Sequence, residues 1–408
     1  MSIQVNAIRS LFPILHQEVN GHPLIYFDNA ATTQKPVAVL DAIQQYYEKD
    51  NSNIHRGAHT LADRATRQYE ETRESVRSLL NAREAAEVIF TKGTTESINL
   101  VAKTFGSKFI QKGDEILIST LEHHSNIVPW QMLCEQNGAI LKVIPISDSG
   151  ELILEEFEKL LSSKTKLVSI VHASNALGTI NPVKSIIAAA HAVGAKVLLD
   201  GAQSASHLEV DVQDLDCDFL AFSAHKLYGP TGLGVLYGKR ELLEEMPPFL
   251  GGGEMIREVT FEKTTYNTIP FKFEAGTPSI AEVIAFKPAL DFIFTTGKKQ
   301  ILAHENDLLD YATGILREVK GLIPVGTAPE KVAVFSFNIQ SMHPYDVGQL
   351  LDAKGIAVRT GHHCAWPLTK IMNVPATTRA SFYLYNDEHD VDDLVEALLG
   401  AQKYFGKF

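Results

Sequence analysis

The residues of this 408-residue chain whose types and spacing could do chemistry begin with Ser223-Ala224-His225-Lys226-Leu227-Tyr228-Gly229-Pro230-Thr231-Gly232-Leu233-Gly234. One lysine stands between small or hydrogen-bonding residues and a glycine-rich turn. A lysine that forms a Schiff base must first lose its proton, which packing away from water among oriented polar groups favours. A surface lysine entering a loop is the commoner use of the residue. Asp200 and Gln203 change that balance. The apolar run Val197-Leu198-Leu199 reads as a buried strand, so the Asp200 carboxylate falls where a sheet ends and a pocket can open. An acid there suits a protonated aromatic nitrogen.

A second centre is Ile356-Ala357-Val358-Arg359-Thr360-Gly361-His362-His363-Cys364-Ala365-Trp366-Pro367-Leu368. Positive neighbours lower a thiol pKa, and Cys364 has two histidines beside it and Arg359 close by. Two plainer readings stand: a zinc site and a buried structural cysteine. Adjacent His-His-Cys without a second spaced pair is a poor zinc pattern. Buried cysteines are common. Gly361 and Pro367 bracket a short loop that would present the thiol.

The elements that must position these groups alternate between strand and helix. Strands are expected at Leu24 to Asp28, Val88 to Phe90, Glu115 to Ser119, Lys142 to Pro145, Lys166 to His172, Val197 to Leu199 and Phe219 to Phe222. Helices are expected between them, over Lys35 to Tyr47, Leu61 to Leu80, Leu154 to Leu160 and Ile186 to Val193. That alternation predicts an α/β fold with a mostly parallel, doubly wound sheet and a site at the strand C-termini. The turn Lys92-Gly93-Thr94-Thr95 precedes a helix whose free N–H groups and dipole suit a phosphate. Its plainer reading is that Thr95 caps the helix. His123, just past a strand end, is as readily structural as catalytic. The glycines of 229–234 do not have Gly-x-Gly-x-x-Gly spacing, so a dinucleotide fingerprint is rejected. From about Thr295 the pattern becomes that of a smaller α+β domain.

Composition sets the outer limits. Hydrophobic residues make up 45% and charged residues 21%, as in an ordinary soluble globular protein. The net charge of −12 argues against a nucleic-acid-binding role resting on a basic surface. Three scattered cysteines, Cys134, Cys217 and Cys364, make neither a disulfide framework nor a metal-ligand spacing, and suit a reducing cytoplasm. No targeting segment or membrane-length apolar run is read, so a cytoplasmic protein is expected, with neither a nucleic acid nor a membrane as partner.

Asp-x-x-Gln at 200–203 followed by Ser-x-His-Lys at 223–226 resembles the pyridoxal-phosphate site of the class V aminotransferase family. Arg-Thr-Gly-His-His-Cys-Ala at 359–365, with Arg379 downstream, resembles the group II cysteine desulfurases of the SUF pathway. The resemblance covers nearly the whole chain. It implies a PLP-dependent transferase fold type I, with an N-terminal segment at 1–24, a large cofactor domain at 25–294 and a small domain at 295–408 carrying the cysteine.

The resemblance also implies residue roles. Lys226 would be the Schiff-base lysine, Asp200 the partner of the pyridine nitrogen, and His123 a ring-stacking residue that assists proton transfer. Gln203, Thr94, Thr95, Ser223 and His225 would complete cofactor binding, with Thr277 donated to the phosphate by a second subunit. Asn175, Arg379 and Arg359 would hold the substrate, and His55 and Arg56 would face a site, often the dimer partner's. Cys364 would accept sulfur from L-cysteine as a persulfide and pass it to an acceptor of the SufE or SufU kind, for iron-sulfur cluster assembly. Trp366 would tune that partner's approach. Selenocysteine lyase, aminotransferase or kynureninase-like chemistry, or a non-catalytic scaffold, are the alternatives. No metal ligand set is expected.

Overall fold

The computed structural model describes residues 3–405. Its centre is a seven-stranded sheet. After a short strand β1 (Ile25–Tyr26), the strands are β2 (Val88–Thr91), β3 (Glu115–Ser119), β4 (Ile140–Ile144), β5 (Thr165–Val171), β6 (Lys196–Asp200), β7 (Phe219–Ser223) and β8 (Gly234–Gly238). Their spatial order is β2-β8-β7-β6-β5-β3-β4. The β4, β3, β5, β6 and β7 neighbours pair in parallel, and β8 runs antiparallel to both β7 and β2.

Burial on both faces explains the apolar runs Val197-Leu198-Leu199 of β6 and Phe219-Leu220-Ala221-Phe222 of β7. Val197, Leu199, Leu220 and Phe222 enter one core, whereas Leu198, Phe219 and Ala221 enter the other. Helices cover both faces, among them Thr60–Leu80 and Ile280–Thr296, which pack against each other. β8 departs from expectation: Gly229 to Gly234 reads as a turn, and the strand begins at its last glycine.

Beyond the helix Lys298–Arg317 lies a second, four-stranded antiparallel sheet. It is built from β9 (Leu322–Val325), β10 (Val334–Ile339), β12 (Arg359–Gly361) and β13 (Thr377–Ser381), in the order β9-β10-β13-β12. The short β11 (Ile356–Ala357) instead pairs in parallel with β1. That pairing draws Ile25 and Phe27 into the core formed by Leu308, Phe335, Phe337 and Leu394. Phe12 packs the N-terminal segment onto Tyr385 at 4.9 Å and Tyr228 at 5.9 Å between ring centroids. Among the described residues no helix is long and apolar enough to cross a membrane.

Candidate active site

A cavity of about 230 Å³ opens at the C-terminal edge of the large sheet and is closed by the second sheet. Thr94, Thr95, His123, Asn175, Asp200, Gln203, Ser223, His225, Lys226, Arg359, Cys364 and Arg379 all line it, so twelve residues singled out from the sequence converge. The parallel strands account for most of that convergence. His123 follows β3, Asn175 follows β5, Asp200 ends β6 and Ser223 ends β7, with His225 and Lys226 in the next turn.

One end is built for an anion. Ser223 Oγ accepts the Thr94 backbone N–H at 2.9 Å and bonds the Thr94 hydroxyl at 2.8 Å. The turn can approach β8 this closely because Gly234 has no side chain: a Cβ there would lie 2.3 Å from Gly93 Cα. Gly93, and not Thr95, is the helix N-cap residue. His225 Nδ1 pairs with Thr32 Oγ1 at 3.1 Å, and burial pulls its pKa down to about 4. The His225 carbonyl accepts from Thr33 N and from Lys35 Nζ, each at 3.0 Å, fixing the turn that presents Lys226.

Burial lowers the Lys226 pKa to about 8, against the pull of Asp200, which raises it. Its amine is therefore far closer to neutrality than a solvated lysine. Asp200 is 1% exposed, and burial raises its pKa while the Ala202 N–H, donating at 2.9 Å, opposes that shift. His123 is held neutral, its pKa lowered to about 4 by burial and then by Lys226. Its Nδ1 accepts the Ser125 backbone N–H at 3.1 Å, which assigns the remaining proton to Nε2.

The other end carries two arginines and the thiol. Arg379 is 1% exposed, donates from Nη1 to the Asn175 carbonyl at 2.7 Å, and leaves Nε without a partner. Asn175 donates from Nδ2 to the His363 carbonyl at 2.7 Å and leaves Oδ1 unpartnered. Cys364 is exposed, and it and His363 both adopt left-handed backbone, with φ of 55° and 52°. Such conformations cost side-chain-bearing residues roughly 1–3 kcal/mol each, and surrounding contacts must enforce them. His124 supplies two: its N–H donates to the Cys364 carbonyl at 2.7 Å, and its Nε2 accepts the Trp366 N–H at 3.1 Å.

One sequence expectation is revised here. His363 does not supply positive charge to the thiol, because burial forces its pKa to about 2 and its Nε2 is engaged by Thr377 Oγ1 at 2.7 Å. The cationic groups lining the cavity with Cys364 are Arg359, Arg379 and Lys226. His55, Arg56 and Thr277 lie outside the cavity of this chain. His55 Nε2 bonds Glu70 at 3.0 Å, and Arg56 pairs with Glu254 at 3.2 Å. Sequence reading missed His124 and Asp28; the adjacency of His124 to His123 was the available signal for the first, and local sequence holds none for the second.

The fit to a phosphorylated pyridine aldehyde can be judged from these atoms. A hydroxyl-lined helix start, a buried carboxyl, a buried lysine with a lowered pKa and the buried, unpartnered Gln203 Oε1 are spaced around one cavity. The donor and acceptor set suits that group, and a lysine and an acid at the strand ends of a mostly parallel sheet fit a PLP-dependent enzyme of fold type I.

Comparison with known proteins narrows the class. The model of the aminotransferase class-V family matches residues 25–394, and the chain belongs to that family, whose cofactor is pyridoxal phosphate. A Halalkalibacterium halodurans protein named probable cysteine desulfurase is 51% identical, covering 99% of both chains. A cysteine desulfurase of Synechococcus elongatus is 52% identical over 98% of this chain, which spans 64% of that relative's length. Among solved structures, the cysteine desulfurase CsdA of Escherichia coli superposes with a TM-score of 0.92 at 40% identity, covering 99% of this chain and 100% of the other.

Proposed function

We propose that this chain is a cysteine desulfurase that converts L-cysteine to L-alanine and retains the sulfur on Cys364. The observation that carries the reading is that Cys364, exposed on a strained turn, lines the same cavity as Lys226. The full-length relatives named for this activity support it.

Lys226, with Thr94, Thr95, His123, Asp200, Gln203, Ser223 and His225, would hold pyridoxal phosphate, which would supply an electron sink for the substrate α-carbon. Arg379, with Nε unpartnered, and Asn175 bind the substrate carboxylate, and Arg359 adds positive charge beside them. Lys226 Nζ, with its pKa near 8, moves the α-proton. Neutral His123 offers Nε2–H as a donor within the same cavity. The thiolate of Cys364 attacks the substrate sulfur; a sulfur–sulfur bond forms, the carbon–sulfur bond breaks, and carbon takes up a proton as alanine leaves. Cysteine plus enzyme thiol thus becomes alanine plus enzyme persulfide, with atoms and electrons balanced.

In this reading the domain bounds are 25–294 for the cofactor domain and 295–408 for the domain bearing the cysteine, and the described part of the segment 1–24 packs alongside. The exposed Cys364 supports delivery of sulfur to an acceptor protein of the SufE or SufU kind, ultimately for iron-sulfur clusters. Trp366, stacked on His362 at 5.1 Å, is exposed beside it. Thr277, exposed and outside the lining of its own cavity, supports a homodimer in which each chain completes the other's phosphate site, with His55 and Arg56 on the facing surface.

Intact mass spectrometry before and after L-cysteine without reductant, with peptide mapping and an alanine assay, tests the reading. One added sulfur on Cys364 with matching alanine is expected. Alanine without sulfur on Cys364 would remove that residue's role, and neither product with cofactor bound would remove the activity.

A further inference from the structure

Asp28, two residues past β1, holds two arginines with one carboxylate. Its Oδ1 meets Arg379 Nη2 at 3.1 Å and its Oδ2 meets Arg359 Nη1 at 3.2 Å. The arginines face each other in register across β12 and β13, and both line the cavity. The remaining charge there is sparse, because His123, His225 and His363 are all held neutral. At this end two guanidinium groups and one carboxylate leave a single positive charge, and Arg379 Nε is a buried donor without a partner. That suits one carboxylate from a ligand. Lys226, the other cation of the cavity, is taken up by the cofactor in the proposed reading, so a second anionic group would find only the single positive charge that Asp28 leaves on the arginines.

We infer that Asp28 is a specificity-determining residue that restricts the site to amino acids with one anionic group, admitting L-cysteine and discriminating against those with an acidic side chain. The inference rests on the reading of Arg379 and Arg359 as the carboxylate site. Asp28 acts through the arginines: it positions both side chains and cancels half of their charge. A purely structural tie between β1 and the second sheet would affect folding and leave charge preference unaltered.

The test uses the cofactor-loaded enzyme and compares acetate with malonate as competitors of L-cysteine. Alanine formation is one readout, and the absorbance of the bound cofactor on titration with each acid is the other. In the unaltered protein malonate is expected to bind no more than about tenfold tighter than acetate; a larger preference overturns the inference without any variant. Asp28→Asn leaves both guanidinium charges uncancelled and is expected to shift the preference toward malonate by about tenfold. Asp28→Glu keeps the charge and is expected to stay within about twofold of the original preference, whatever its effect on KM. An unshifted preference in Asp28→Asn overturns the inference, as does an equal shift in Asp28→Glu. Arg379→Lys separates the underlying reading: acetate binding unchanged in that variant refutes the carboxylate site itself, whereas weakened acetate binding with an unshifted Asp28→Asn refutes only the role of Asp28.

Discussion

His124 holds Trp366 in place: its ring Nε2 accepts the Trp366 backbone N–H at 3.1 Å, two residues beyond the thiol. The bond requires an unprotonated Nε2, and burial lowers the His124 pKa, keeping it neutral at neutral pH. The left-handed turn at His363 and Cys364 is thereby fastened on its far side. His124→Ala keeps the backbone bond to Cys364 and loses only this one. A hydrogen bond worth about 1 kcal/mol corresponds to roughly a fivefold effect. Persulfide formation in a single turnover, followed by mass spectrometry, is expected to slow by about that factor, with the absorbance of the bound cofactor unchanged. An unaltered rate would show that the turn holds its shape without His124.

The buried histidines set the acid limit of stability. Burial lowers His123, His172 and His225 to about 4 from an ordinary value of 6.5. Between those values the unfolded chain binds more protons than the folded one, so stability rises with pH from 4 to 6.5. For these three the destabilisation is complete below 4 and absent above 6.5, whereas that of His363 continues down to about 2. His172, 7% exposed, contributes up to roughly 3 kcal/mol of this dependence at about 1.4 kcal/mol per pKa unit. Urea unfolding midpoints measured from pH 4.5 to 6.5 are expected to climb more gently in His172→Asn than in the unaltered protein. Parallel slopes would mean that His172 is charged or solvated in the native state.

The legible half of the site is the half built by the parallel sheet. The runs Val197-Leu198-Leu199 and Phe219-Leu220-Ala221-Phe222, buried on both faces, are apolar, so the polar residue where each stops, Asp200 or Ser223, marks a pocket edge. The second sheet offers no such contrast. β13 reads Thr377-Thr378-Arg379-Ala380-Ser381, fully buried yet polar: Arg379 lines the cavity, and the Thr377 and Ser381 hydroxyls bond His363 and the Phe27 carbonyl. β8 begins in glycine because it must pass Gly93 at close range, and glycine before a short apolar run reads as a turn. Asp28 and Arg379 meet through tertiary contacts alone, and no local period registers their 3.1 Å approach. The neutrality of His363 was hidden for a similar reason, since burial decides it and burial comes from the packed loop.

Asp200 supplies the sharpest test of how the cofactor is held. Its carboxyl is buried, accepts the Ala202 N–H and has its pKa raised by burial. A protonated ring nitrogen beside it would reverse that shift, since an opposite charge at contact distance favours the ionised acid. Each charge then stabilises the other, and the ring nitrogen keeps the proton that makes it an effective electron acceptor. Asp200→Asn preserves size and the Ala202 hydrogen bond and removes only the charge. Losing a preorganised charge at a reacting centre costs on the order of 100-fold in rate. Alanine formation at saturating cofactor is expected to fall by about that much, with weaker cofactor binding in an absorbance titration and an unchanged far-UV circular dichroism spectrum. Turnover within a few-fold of the original would place the ring-nitrogen partner elsewhere in the cavity.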